Sequence, residues 1–169
     1  MSFSLTRKTD YALVALARLT EEACGGQRPL SARQIAEQYN LPLPLLMNVL
    51  KDLHKAQIVC SRRGPSGGYL LCCHDPSQIT MLQIVEALEG PVKVAVCCDD
   101  EPLIGREPCV ACRVMEKCPN VAPMQRFNDK VRQFLASITL KDLLAQPQFL
   151  NSQPVAGDVI PRAPVGVVS

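Results

Sequence analysis

Three stretches of this 169-residue chain predict a mainly α fold with a small β-hairpin wing: a winged helix-turn-helix followed by a long C-terminal dimerisation helix. "LSARQIAEQYNLPLPLLMNVLKDLHKA" carries two helical periodicities separated by a tight turn, and "IVCSRRGPSGGYLL" reads as strand, glycine-rich turn and returning strand. "MQRFNDKVRQFL" repeats apolar residues at spacings of three and four. Composition agrees: 47% hydrophobic, 4% aromatic and no tryptophan favours packed helices over an all-β sandwich.

Taken in order, Leu5, Tyr11, Leu13, Ala15, Leu16 and Leu19 pattern an amphipathic helix from about Lys8 to Ala23, which Gly25 and Gly26 close. Ser31 with Gln34 is a capping box, so a short helix starts there with Ile35 and Ala36 inward and Asn40 in a left-handed turn. Pro44 suits the first turn of the next helix, whose buried stripe is Leu46, Val49, Leu50 and Leu53. Met47, Asn48, Lys51 and Lys55 are left to solvent. The hairpin follows with Arg62 and Arg63 at its tip, and Gly67 and Gly68 allow close backbone approach. A hairpin directly after a helix-turn-helix is a wing, whose arginines can reach phosphates or a minor groove while the helix enters the major groove.

Thr80 and Gln83 cap another helix with Ile84, Val85 and Leu88 as its apolar face and Gly90 as its stop. Pro91 to Cys118 is poor in periodicity and rich in cysteine. Pro119 suits the first position of the long helix, which would put Cys118 at its N-cap, where the helix dipole lowers a thiol pKa. In a helix begun there, Pro123 would cost about 3 kcal/mol or force a kink. Met124, Phe127, Val131 and Phe134 or Leu135 form a seam read as a homodimer interface, since two-fold operators are normally read by dimers. Thr139 caps a last turn ending near Leu144. The proline-rich, aperiodic remainder is expected to be disordered. The resulting organisation is a DNA-binding domain at 1–78, a linking helix and cysteine loop at 79–118, a dimerisation helix at 119–145 and a tail at 146–169.

Charge is unevenly spread. Residues 1–74 hold nine Lys/Arg against five Asp/Glu, and the remainder nine against eleven, which suits a polyanion-binding module joined to a control module. No apolar run reaches the length of a membrane span and no export signal is evident, so a cytoplasmic, reducing setting is expected. There, nine cysteines point away from a disulfide scaffold and toward metal or redox chemistry. "EPCVACRVMEKCP" holds three of them. Four thiolates can complete either a cluster or a tetrahedral zinc site. Cys112 and Cys118 are six apart, roughly 240° around an ideal helix, so the loop must wrap whatever it binds. A cluster-free thiol sensor would use Cys97–Cys98 or Cys109–Cys112. Cys24, Cys60, Cys72 and Cys73, in or beside the DNA-binding module, read as small hydrophobes. A thiol oxidoreductase would need a thioredoxin-like βαβ setting that the sequence does not offer, and no triad, phosphate loop or carboxylate pair suggests an enzyme or a small-molecule substrate.

"TDYALVALARL", "LSARQIAEQYNLPLPLLMNVLKDLHKAQIVCSRRGPSGGYLL", "ITMLQIVEALEGP" and cysteines before a long helix together resemble, in order and spacing, the bacterial winged-helix regulators that include IscR and NsrR. The resemblance runs from about residue 3 to 144. It implies a homodimeric transcription regulator whose binding to a double-stranded DNA operator responds to an iron–sulfur cluster, 2Fe–2S or 4Fe–4S, with zinc as the alternative occupant. The family's usual ligand spacing is cysteine, five residues, cysteine, five residues, cysteine. Cys112 and Cys118 keep it, but Arg106 stands where the first should be. Counting from "EALEGP" puts the first ligand at Cys97, with an insertion after it and with Cys98 and Cys109 as rivals. IscR-like members have a histidine where Val121 stands; NsrR-like members use an aspartate of the first helix, which Asp10 resembles, supplied by the partner subunit. An all-cysteine site including Cys109 is the alternative. The DNA-contacting set is Ser31, Arg33, Pro44, Met47, Asn48, Lys51, Arg62, Arg63, Ser66 and Gly67, with Pro44 and Met47 where family members often carry polar base-reading residues.

Overall fold

Helix α1 (Arg7–Cys24) buries Ala12, Ala15, Leu16 and Leu19 completely or nearly so, a stripe at i, i+3, i+4 and i+7 that packs against α3, β2 and α4. The computed structural model describes residues 6–24, 26, 28–64, 67–73, 75–98 and 117–145. Helix α2 (Ala32–Tyr39) begins at the Ser31–Gln34 capping box and ends at Asn40, whose φ of 51° is the left-handed turn its short polar side chain tolerates. Helix α3 (Leu43–Lys55) has Pro44 in its first turn and buries Leu46, Val49, Leu50 and Leu53.

Strands β1 (Val59–Arg62) and β2 (Gly68–Leu71) pair antiparallel, Val59 opposite Leu71 and Arg62 opposite Gly68. Val59 and Leu71, both buried, set that register, because a one-residue slip would turn them out of the core. Leu30 adds a one-residue third strand: its N–H donates to the Tyr69 carbonyl at 2.9 Å, and Tyr69 N–H donates to the Leu30 carbonyl at 2.7 Å. A single helical turn at Pro76–Gln78 leads into α4 (Met81–Glu89), capped by Thr80 and Gln83 and stopped at Gly90 with φ of 83°.

Helix α5 runs from Val121 to Ser137, with Asn120 as its N-cap. Pro119 therefore lies before the helix and Cys118 is not its N-cap. The shift has a physical reason: starting at Val121 puts Pro123 in the first turn, where the N–H it lacks would have had no intrahelical partner. The expected seam also divides. Leu135 is buried and Val131 half-buried against Met81, Val85 and Val92, whereas Phe127 and Phe134 stand 52% and 64% exposed.

Helix α6 (Leu140–Leu144) is capped by Thr139, whose hydroxyl accepts from Asp142 N–H at 3.1 Å while the Asp142 carboxylate accepts from Thr139 N–H at 2.9 Å. The Thr139 hydroxyl, donating to the Asp142 carboxylate at 2.6 Å, and then the Thr139 N–H hold that carboxyl below its usual range, so this cap is complete above the ordinary aspartate pKa and weakens as pH falls through the depressed value. Its purpose is visible in Leu140, fully buried in the same cluster as Leu16, Leu50 and Ile84. The chain thus returns to close the core built by its first half. The expected tail, 146–169, lies outside the described residues. Replacing Leu140 with alanine should lower unfolding free energy by about 2–5 kcal/mol in chemical denaturation, a cost typical of a fully buried leucine.

Candidate nucleic-acid interface and cysteine loop

Helix α3 turns Pro44, Met47, Asn48 and Lys51 outward along one face, the i, i+3, i+4, i+7 complement of its buried stripe. Met47, 51% exposed, is an unusual apolar presence there. The preceding helix starts with Ser31, whose side chain is engaged in the cap, and carries Arg33 exposed and only loosely paired with Glu37 at 4.0 Å. Arg62 ends β1 and Arg63 follows it, both exposed. One cationic hairpin end and one polar helix face are therefore offered to solvent with their counter-faces committed to the core. Ser66 lies outside the described residues.

The hairpin glycines have an intramolecular reason as well. A Cβ on Gly68 would overlap the Leu30 carbonyl and lie 2.8 Å from the Ser31 N–H nitrogen; one on Gly67 would lie 2.8 Å from the Gly64 carbonyl oxygen. Gly68 thus allows the wing to lie against the short strand ahead of α2. His54, at the end of α3, places Nδ1 3.0 Å from the Val59 carbonyl and ties helix to wing.

The reading of Cys60 and Cys72 as simple hydrophobes is corrected: the two are joined in a disulfide across the hairpin, Cα atoms 5.0 Å apart. Cys60 faces Leu70 in the ladder, and Cys72 lies two residues further along the same side of the partner strand. Alternation on the two strands is the signal that could have paired them. Cys73 is a free thiol donating to Gln78 Oε1 at 3.1 Å.

The cysteine loop is described at its two roots. Residues Val96–Cys98 form one helical turn laid on α5. Val94 N–H donates to Asn128 Oδ1 at 3.0 Å, and this amide, nearly buried, has that bond as its reason to be there. Gln125 Nε2 donates to the Cys97 carbonyl at 3.4 Å, and the Cys98 thiol to the Met124 carbonyl at 3.4 Å. Residues Met124 and Gln125 are within about two helical turns of Cys118, so both ends of the loop converge on the start of α5. Cys97 and Cys118 are free and half-buried; Cys98 is buried, and desolvation, followed by the neighbouring Cys97, pushes its thiol pKa up. Cys109 and Cys112 lie outside the described residues. Among the described residues no three His, Cys, Asp or Glu side chains gather as a metal site. Asp10, in the first turn of α1, is exposed.

A family model described as an iron-dependent transcriptional regulator, Rrf2, matches residues 5–146, which span every element above. The chain belongs to the Rrf2 family. The HTH-type transcriptional regulator IscR of Photorhabdus laumondii subsp. laumondii is 30% identical over 162 residues, covering 96% of this chain and 92% of its own. Among solved structures, CymR (YrzC), the global cysteine regulator of B. subtilis, matches with a TM-score of 0.60 and 30% identity, covering 85% of this chain and 97% of that one. T. potens IscR matches with a TM-score of 0.58 and 25% identity, covering 90% and 94%. This Rrf2-family chain is therefore a transcriptional regulator on a winged-helix scaffold, as its sequence led one to expect. Among the described residues no helix is long and apolar enough to cross a membrane. Gly68→Ala should break the Leu30–Tyr69 bridge and lower stability by roughly 1–3 kcal/mol, in the range of overpacked sites; a thermal melt unchanged within error would show that the wing does not rest on Leu30.

Proposed function

We propose that this Rrf2-family protein acts in the cytoplasm as a homodimer that binds a double-stranded DNA operator under the control of an iron–sulfur cluster. The observation that carries the DNA part is the pairing of two exposed features on one rigid core: the α3 face with Asn48 and Lys51, and the wing with Arg62 and Arg63. In this reading α3 enters the major groove, with Ser31 and Arg33 at its flank, and the wing with Ser66 and Gly67 tracks phosphate or the minor groove. Phe127 and Phe134, exposed on α5, support that helix as the dimer contact.

For the cluster, the donor chemistry fits. Thiolates are the ligands such clusters take, and the half-buried Cys97 and Cys118 stand at loop roots drawn together on α5. Cys112 and either Cys109 or the partner subunit's Asp10 would complete the set. The burial and raised pKa of Cys98 favour Cys97 as the first ligand, and they disfavour a Cys97–Cys98 pair as the sensor. A bound cluster supplies a centre whose state changes with oxidation, iron supply or nitric oxide. The chain's own residues relay it: Asn128 and Gln125 hold the loop root on α5, and Arg132 on α5 meets Glu86 on α4 at 2.5 Å, leading into the winged-helix core.

The zinc-stabilised and thiol-based readings make different predictions. Protein purified without oxygen should show visible charge-transfer absorption that oxygen, nitric oxide or a chelator bleaches and that Cys118→Ser or Cys97→Ser removes. Colourless anaerobic protein with stoichiometric zinc would reject the cluster. If each subunit neutralises about four phosphates, log affinity for DNA should fall with log salt at a slope near about −7. Replacing both Arg62 and Arg63 with alanine should weaken binding to all sequences and flatten that slope, whereas Asn48→Ala should blunt discrimination among them; salt-independent binding would sink the DNA reading.

A further inference from the structure

We propose that Cys60 and Cys72 form a thiol–disulfide switch in the wing, a second redox input separate from the cysteine loop, that sets DNA affinity by ordering the hairpin. The proposal rests on the reading of the wing as a DNA contact. Its structural basis is the pairing of the hairpin together with the bond itself. The buried pair Val59 and Leu71 fixes the hairpin register, and Cys72 N–H donates to the Ile58 carbonyl at 3.1 Å, so the backbone alone holds the two cysteines within bridging distance. Their Cα separation of 5.0 Å lies inside the range disulfides take, about 4.4–6.8 Å. Both residues sit on the half-buried side of the ladder, away from the core, where small oxidants and reductants can reach them.

What the bond would do follows from what it encloses. Closing Cys60 to Cys72 makes a ring of the whole wing, Arg62 and Arg63 included. A two-stranded hairpin of this size is marginally stable alone; beyond its packing, the Leu30 bridge ties β2 and the His54 contact ties β1 to the rest. Cross-linking its base reduces the freedom the arginines lose on meeting phosphate, which strengthens binding without any new contact. In a reducing setting the pair rests as thiols. A hydroperoxide oxidises one thiol to a sulfenic acid and is itself reduced to the alcohol or water. The other thiol then attacks that sulfur, the S–S bond forms and water leaves. A dithiol reductant reverses the step by exchange and ends as a disulfide.

The test uses the full chain treated with hydrogen peroxide or with dithiothreitol. Non-reducing peptide mass spectrometry should find Cys60 linked to Cys72 only after peroxide. The oxidised protein should bind a short random-sequence duplex at low salt roughly tenfold more tightly than the reduced one. In Cys60→Ser with Cys72→Ser, and in Cys72→Ser alone, the difference should vanish while thermal melting confirms folded protein. Absence of the cross-link, equal affinity of the two forms, or an oxidation effect that persists in the serine variants would overturn the switch. Failure of both forms to bind duplex would instead overturn the DNA reading, and the two failures are told apart by whether reduced protein binds.

Discussion

The return of the chain onto its own starting domain at Thr139 is the constraint on which the rest of the molecule depends. Thr80 and Thr139 meet in an antiparallel bridge, with Met81 N–H donating to the Ile138 carbonyl at 2.8 Å and Leu140 N–H to the Ile79 carbonyl at 2.7 Å. Each threonine also caps the helix that follows it, so α4 and α6 leave one shared junction. Backbone polar groups that would otherwise be buried unsatisfied become the seam between the N-terminal core and α5. Leu140, delivered by that seam, fills the winged-helix core, and the two halves cannot part without exposing it.

This junction gives α5 a defined orientation, which the proposed relay requires. One side, Val131 and Leu135, packs on α4; Arg132 adds an ion pair to Glu86 across the same contact. Both partners of that pair are about 30% exposed, so its energetic worth is modest and its value is positional. The first turns of α5 hold the entry to the cysteine loop through Asn128, Gln125 and the Met124 carbonyl. In the proposed reading, a change in the loop would act on a helix already fixed at its far end to the DNA-binding core, and the packing of α4 against α3 would carry the displacement onward.

Legibility followed the strength of local signals. Two capping boxes, the Thr139 cap, the left-handed Asn40 and the buried stripe of α3 were readable because each is decided within four or so residues by hydrogen bonding or periodicity. Leu30 as a third strand was not, since one residue carries no pattern and its pairing with Tyr69 is set by tertiary contact. Gln57, at φ of 59°, closes α3 where no glycine or asparagine announces a turn; Ile58 N–H donating to the Leu53 carbonyl supplies the reason. The start of α5 was misplaced because two prolines compete for its first turn and only the structure shows Pro123 winning. For the wing, Arg62 and Arg63 lie exposed, but the pairing of Cys60 with Cys72 needed the register of the hairpin before it could be seen.

Cysteine is the same chemistry in each of these places, and surroundings assign the task. Cys98 is buried with its thiol donating to a carbonyl, which favours the protonated form and makes it a poor ligand and a poor nucleophile. Cys97, its neighbour, stays half-buried because a tight three-residue helical turn points successive side chains about 120° apart, so anchoring one thiol in the core turns the other away from it. Cys60 and Cys72 are governed by a different rule, the period of two in a strand, which puts them on one side of the ladder and opposite the core. The vicinal pair, one of two a cluster-free thiol sensor would use, is divided by its helical turn, while two cysteines twelve residues apart are brought together by a hairpin.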